Sequence, residues 1–187
     1  MIFNLPNSLT WTRIVLIPVV IGVYYLPLPL HEQNLIATVA FVVAAITDWF
    51  DGWVARKLGL TSAFGAFLDP VADKLMVAAA LIILVQLDRA DSVVAIIIVG
   101  REITISALRE WMAHIGAAKS VAVSFIGKLK TTAQMVAIPM LLYYDPLLGL
   151  PIAGMGEALI WLAAALTLWS MGYYLGKAWP EIRSKGF

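Results

Sequence analysis

Asp48, Asp51, Asp69 and Asp73 are four carboxylates set in a largely apolar stretch, together with Gly52, Gly65 and Arg56. On a helix Asp48 and Asp51 stand i,i+3, and Asp69 and Asp73 stand i,i+4, so each pair shares a face. Gly65 falls one turn before Asp69. Four ionised acids gathered in a low dielectric repel one another and need counter-cations. Hard divalent metals with oxygen ligands meet that need. Two such ions, about 3.5–4 Å apart, would form a clamp for phosphoryl chemistry. Gly52 and Gly65 lack a Cβ, which lets a ligand or a second backbone come close. The planar fork of Arg56 suits phosphate. A plainer alternative has the acids facing water at a membrane surface. The recurrence of polar residues at helical spacing beside apolar flanks favours a functional cluster.

These residues stand in the pattern D-x2-D-G-x2-A-R-x8-G-x3-D-x3-D, which runs from Asp48 through Ala55 and Arg56 to Asp73 with every position filled. The pattern resembles the signature of the CDP-alcohol phosphotransferases. That resemblance implies a CDP-linked lipid or alcohol as donor and a hydroxyl compound as acceptor. It also makes Gly52, Ala55, Arg56 and Gly65 candidate contacts for the CDP group. Leu5-Pro-Asn-Ser-Leu-Thr10, followed by Arg13-Ile14, looks like the family's usual opening. There this segment lies near the nucleotide site, so Asn7 and Thr10 join the candidate CDP-binding residues.

The elements that must position these groups are apolar helices. Of the 187 residues, 61% are hydrophobic and 13% charged, against about 25% charged in a soluble domain. The composition predicts an all-α, polytopic membrane protein with one domain over residues 1–187. A bilayer crossing takes about 20 apolar residues. Six spans are predicted: Ile14–Leu28 extended back to Trp11, Leu35–Val54, a third ending at Leu87, Val93–Leu108, Phe125–Tyr144 and Glu157–Leu175. Residues 1–12 read as a short interfacial segment with Asn7 or Ser8 as the helix N-cap; a frayed terminus is the alternative. Residues 176–187 read as a cytoplasmic tail. Arg56 falls in a loop that runs to Thr61. The clean apolar run Leu75–Leu87 is too short to cross, so Ala63–Lys74 must belong to the same helix. Asp69 and Asp73 then lie inside it, with Pro70 as a kinking proline. The alternative has Asp69 capping a helix that begins at Pro70. No cleavable signal peptide is expected, because the start lacks a basic region and a small-residue cleavage site. The absence of cysteine excludes disulfides and thiolate metal sites.

The basic residues predict orientation. The first, third and fifth connections carry Arg89 alone, while Arg13, Arg56, Lys57, Arg109, Lys119, Lys128, Lys130, Lys177, Arg183 and Lys185 fall on the other side. The positive-inside rule puts both termini and the aspartates in the cytoplasm. For a bacterial enzyme this means a multi-pass protein of the inner membrane with a cytoplasm-facing active site. The seven tryptophans mostly fall near predicted interfaces and need no chemical role.

Arg101, Arg109, Lys128 and Lys130 form a second polar group. Arg101 stands in the middle of the fourth span, where a charge is costly unless paired or hydrated. Arg101 and Arg109 are roughly two turns apart and can line one face. Neighbouring helical residues point about 100° apart, so Glu102 is not expected to serve as the partner of Arg101. An anion site is the alternative partner. Arg109, Lys128 and Lys130 could instead be anchors for anionic headgroups, and for Lys119 that reading is preferred. Arg101-Glu102-Ile-Thr-Ile-Ser106-Ala-Leu-Arg109-Glu110-Trp111 and Gly127-Lys128-Leu-Lys130-Thr131-Thr132-Ala-Gln134-Met135 resemble one bacterial branch of the family. The similarity runs from Asn4 to Met171. It implies CDP-diacylglycerol as donor, glycerol 3-phosphate as acceptor, and phosphatidylglycerol phosphate and CMP as products. Arg101, Arg109, Lys128 and Lys130 would then receive the acceptor's phosphate. Homodimerisation is a further implication, and no nucleic-acid partner is expected.

The mechanism these readings suggest places one or two Mg2+ or Mn2+ ions on Asp48, Asp51 and Asp69, with Asp73 at the edge of the metal site. Asp73 is the expected base for the acceptor hydroxyl. Three competing functions are weaker. Intramembrane prenyltransferases also use Asp-rich motifs and magnesium, but they pair two such motifs and need more spans. A metal transporter would place its acids near the midplane and show inverted repeats. Within the family, serine, inositol phosphate or a second phosphatidylglycerol could be the acceptor, but a neutral acceptor would not need Arg101 and Lys130.

Overall fold

The computed structural model describes residues 5–58, 63–117 and 125–185. All regular structure among them is helical. Helix α1 runs Leu5–Gly22 and continues into a 3-10 turn, Val23–Tyr25. It is followed by α2 (Leu30–Leu58), α3 (Ala63–Gln86), α4 (Ser92–His114), α5 (Phe125–Tyr143) and α6 (Ile152–Lys185).

The predicted helices are present, with three boundary corrections. α1 already includes Asn7 and Ser8, so neither is its N-cap and residues 5–12 are continuous with the first span. Apolar residues on both sides of Thr10 and Arg13 favour one uninterrupted helix over a separate surface segment. α2 extends through Arg56 and Lys57 to Leu58, so Arg56 is helical rather than in a loop. The expected tail is the last part of α6, which runs on to Lys185 with Pro180 inside it. At α3 the longer of the two readings holds: the helix begins at Ala63, and Asp69, Pro70 and Asp73 are interior. The start of α4 is set by Asp91, whose side chain accepts a 2.7 Å hydrogen bond from the Val93 amide. This N-cap satisfies a donor that the first turn cannot.

The core gathers Val20, Phe41, Leu81, Leu84, Ile98, Ile138, Leu141 and Leu142. A smaller cluster, with Ile105, Leu108, Met112, Tyr174 and Ala178, joins α4 to α6. α1 packs on α2 and α3, and α5 packs on α6. At the α5–α6 contact a Cβ on Gly156 would lie 3.0 Å from Leu141 Cγ and 3.1 Å from Met140 Cβ. A small residue there lets the helices approach closely. The outward faces carry Val15, Val39, Ile46, Ile82, Ile96, Ile103, Trp161 and Trp169. An apolar exterior of this kind suits lipid rather than water. Two helical stretches, Leu30–Asp48 and Ile152–Ser184, are long and apolar enough to cross a membrane. In α3 and α4 the apolar run is interrupted by Asp69, Asp73 and Lys74, and by Arg101, Glu102 and Arg109.

One end of the bundle collects the α1–α2, α3–α4 and α5–α6 connections. Tyr25 donates to Gln86 at 3.2 Å, and His31 meets Asp145 at 2.7 Å. Buried Arg89 donates to the carbonyls of Leu141 and Leu142 at 3.2 and 2.9 Å and lies 4.4 Å over the Tyr144 ring. Its role is to satisfy the carbonyls at the end of α5. The aspartates lie towards the opposite end.

Candidate active site

Three helices bring the motif residues together. α1 contributes Thr10 and Arg13, α2 contributes Asp48, and α3 contributes Asp69 and Asp73. Arg13 is almost wholly buried, with its side chain 2% exposed, and its Nη1 lies 2.7 Å from Oδ1 of Asp48. Thr10 donates its hydroxyl to Oδ1 of Asp69. These bonds pin carboxylates of α2 and α3 to α1.

Asp48 and Asp73 line one cavity of about 270 Å³ with Lys74, Glu102, Thr131 and Gln134, and with Ala45, Val77 and Met135 as its apolar wall. A smaller recess beside it brings Arg13, Asp48 and Asp73 to a common wall. A cavity of about 350 Å³ at the other end of the bundle is lined by Asp88, Arg89, Asp91, Tyr144 and Glu157 and holds none of the motif residues. Gly65 is buried in the first turn of α3. Asp51, Gly52, Ala55 and Arg56 continue α2 beyond Asp48, and Asn7 precedes Thr10 on α1. The side chains of Asn7, Asp51, Ala55, Arg56 and Lys128 lie outside the described residues, as do the surroundings of Gly52.

Among the described residues no three acidic or histidine side chains come close enough together to hold an ion. The donor chemistry fits a hard divalent cation: the groups are oxygen donors, two of them share a cavity, and Asp51 is one helical turn from Asp48.

The basic group is differently arranged from expectation. Arg101 Nη1 is 2.7 Å from Oε1 of Glu102, the residue next to it. Lys130 Nζ meets the same Oε1. The expectation that Glu102 would not partner Arg101 is therefore corrected. The 100° offset applies to Cβ directions, and two long side chains with rotatable stems close it easily when the alternative is a buried, uncompensated charge. Arg101 also reaches Ser170 at 3.4 Å, and Ser170 in turn donates to the Thr167 carbonyl at 3.0 Å. The Tyr174 ring serves both arginines, with Arg101 5.9 Å and Arg109 5.3 Å from its centroid. The Nε atoms of Arg101 and Arg109 are buried without a hydrogen-bond partner. Buried donors of this kind are expensive to leave unsatisfied, and an anion would satisfy them.

Sequence reasoning did not single out Thr131, Gln134, Lys74 or Tyr174 for this site, and it gave Arg13 and Glu102 no part in it. One signal was present: Arg13 and Glu102 are charged residues inside apolar helices, and such residues mark function by default.

The described helices thus set an acid-lined cavity beside a cluster of cations, on a scaffold whose outward faces are apolar. The chain matches the CDP-alcohol phosphatidyltransferase family over residues 3–169 and belongs to that family. It is 50% identical over 182 residues to the CDP-diacylglycerol–glycerol-3-phosphate 3-phosphatidyltransferase of Escherichia coli strain K12, covering 96% of this chain and 97% of the relative. The enzyme of the same name from Pectobacterium atrosepticum is 49% identical over 178 residues, covering 94% and 95%.

Proposed function

We infer that this protein transfers the phosphatidyl group of CDP-diacylglycerol to glycerol 3-phosphate, giving phosphatidylglycerol phosphate and CMP. The observation that carries this reading is identity of about half, over nearly the whole of both chains, with bacterial enzymes so named. It is consistent with a cavity where Asp48 and Asp73 meet neutral hydrogen-bonding groups and a charge cluster.

In this reading Asp73 accepts the proton of the acceptor's primary hydroxyl. The hydroxyl oxygen forms a bond to the lipid-linked phosphorus. The bond from that phosphorus to the bridging oxygen breaks, and its electron pair leaves with CMP. Gly52 and Gly65 leave room for the nucleotide, Arg56 pairs with the pyrophosphate, and Ala55, Asn7 and Thr10 border the same group. Asp48, Asp51 and Asp69, with Asp73 at their edge, would hold one or two Mg2+ or Mn2+ ions. Bound there, the cations would neutralise charge on the pyrophosphate and the departing CMP. Arg13 and Thr10 hold Asp48 and Asp69 in place from α1. Arg101, Arg109, Lys128 and Lys130 form the receiving group for the acceptor's phosphate, supported by the unpartnered Nε atoms of the two arginines.

The chain would sit in the bacterial inner membrane with six spans and both termini in the cytoplasm, working as a homodimer. CDP-diacylglycerol keeps its tails in the bilayer and its head at the interface, and glycerol 3-phosphate arrives from the cytosol. Carboxylates towards one end of the bundle meet both. The test is an acceptor screen with purified protein, CDP-diacylglycerol and magnesium or manganese, reading CMP release. Release with glycerol 3-phosphate, well above that with serine, inositol phosphate or phosphatidylglycerol, is the expected result. Release with one of the others alone would replace the acceptor.

A further inference from the structure

We propose that Glu102 is a positioning and specificity-determining residue for the acceptor. It ties Arg101 of α4 and Lys130 of α5 into one unit beside Asp73 and leaves that unit with the charge that a phosphate monoester neutralises. The proposal rests on the function inferred above.

Glu102 is the junction of three features. A single oxygen, Oε1, takes both Arg101 Nη1 and Lys130 Nζ. The two cations are nearly sealed, with side chains 5% and 2% exposed, whereas Glu102 is 27% exposed. Glu102 also lines the cavity that contains Asp48 and Asp73, so the unit it holds stands at the edge of the reaction space. Without this carboxylate, two buried cations on different helices would repel each other and separate.

Charge explains why the residue would matter for specificity. Arg101 and Lys130 share the one carboxylate of Glu102, and Arg109 joins Arg101 at the Tyr174 ring, so this group of three cations and one acid carries two positive charges. A phosphate monoester near neutral pH carries a charge of about −1.5 to −2. Adding one closes the charge balance and supplies acceptors for the two buried Nε donors. A hydroxyl compound without phosphate would leave both charges and both donors unmet. Specificity then comes from polar groups that only the correct acceptor can satisfy. Glu102 acts through Arg101 and Lys130, not on the reacting atoms.

The experiment compares wild type, E102Q, E102D, K130Q and the E102Q/K130Q double variant as purified full-length proteins, reading CMP release. KM is measured separately for glycerol 3-phosphate and for CDP-diacylglycerol. E102Q should raise the acceptor KM at least tenfold, hold the donor KM within about twofold and lower kcat less than threefold. E102D keeps the charge but is too short to span both cations, and should give a smaller, equally selective rise. The double variant should be no worse than K130Q alone, because residues acting as a unit are non-additive. Equal rises in both KM values, an unchanged acceptor KM in folded E102Q, or multiplied effects in the double variant would each overturn the proposal. If E102Q does not fold, E102D decides, and an unchanged acceptor KM there overturns it. A wild type that releases no CMP with glycerol 3-phosphate removes the function itself, which an active wild type with an unaffected E102Q does not.

Discussion

At the scale of single residues, the three motif aspartates whose side chains are described divide into two held by α1 and one, Asp73, that lines the cavity. Asp48 takes Arg13 and Asp69 takes Thr10, while Asp73 lines the cavity beside Lys74. Asp48→Asn and Asp69→Asn keep shape but lose charge, and each should reduce CMP release to a hundredth or less. A chelator should abolish release by the wild type, and Mg2+ or Mn2+ should restore it. Full turnover in chelator would falsify the metal assignment. Asp73→Asn should differ by lowering kcat about 10²–10⁴-fold, the range for loss of a general base, with binding of CDP-diacylglycerol nearly unchanged in a direct titration. Arg109→Ala is the cleaner probe of the phosphate contact, because it does not strip Glu102 of a partner. Losing a charge-assisted contact of about 1.5–3 kcal/mol should raise the KM for glycerol 3-phosphate roughly ten- to hundredfold.

At the scale of the element, the site depends on how tightly the helices are drawn together. α5 carries Lys130, Thr131 and Gln134, and its placement relies on contact with α6 near Gly156. Met140 Cβ is fixed by its backbone, so a methyl group at 156 forces the helices apart. Gly156→Ala should cost about 1–3 kcal/mol and lower the midpoint of thermal unfolding in detergent. Gly172→Ala, on the same helix with open space around it, should leave the midpoint equal or slightly raised. Equal losses at both positions would show that close packing is not what Gly156 provides. The N-cap of α4 lies at the same end of the bundle as Gly156, and Asp91→Ala should cost about 1 kcal/mol.

At the scale of the whole molecule, the proposed sidedness follows from two clusters at opposite ends. The three connections around Tyr25, Arg89 and Asp145 meet at one end, and Arg89 is buried there as a helix-end ligand instead of being displayed as a surface charge. Asp48, Asp69 and Asp73, with Arg13, Arg101 and Lys130, lie towards the other. A reporter fused after Glu32, Arg89 or Gly149 should read as external, and one after Gly59, Lys119 or Lys185 as cytoplasmic. The opposite pattern would move the reaction to the wrong side for cytosolic glycerol 3-phosphate.

Spacing and composition alone were enough to determine the helical class, the approximate helix ends and the aspartate motif. Hydropathy and i,i+3 or i,i+4 spacing are local properties, and the length a span requires placed Asp69 and Asp73 inside α3 correctly. The joining of Asn7 and Ser8 to α1 and of the tail to α6 was not legible, because moderately polar residues continue a helix or leave it according to neighbours far along the chain. The pairings needed tertiary structure as well. Arg13 and Asp48 are separated by most of two helices, and Lys130 reaches Glu102 from a different helix. Which buried cation meets which carboxylate is settled by desolvation, since each charge taken from water must find its partner wherever packing leaves one. Only the assembled bundle decided that Glu102, adjacent to Arg101 and dismissed on helical angle, stands between the two cations.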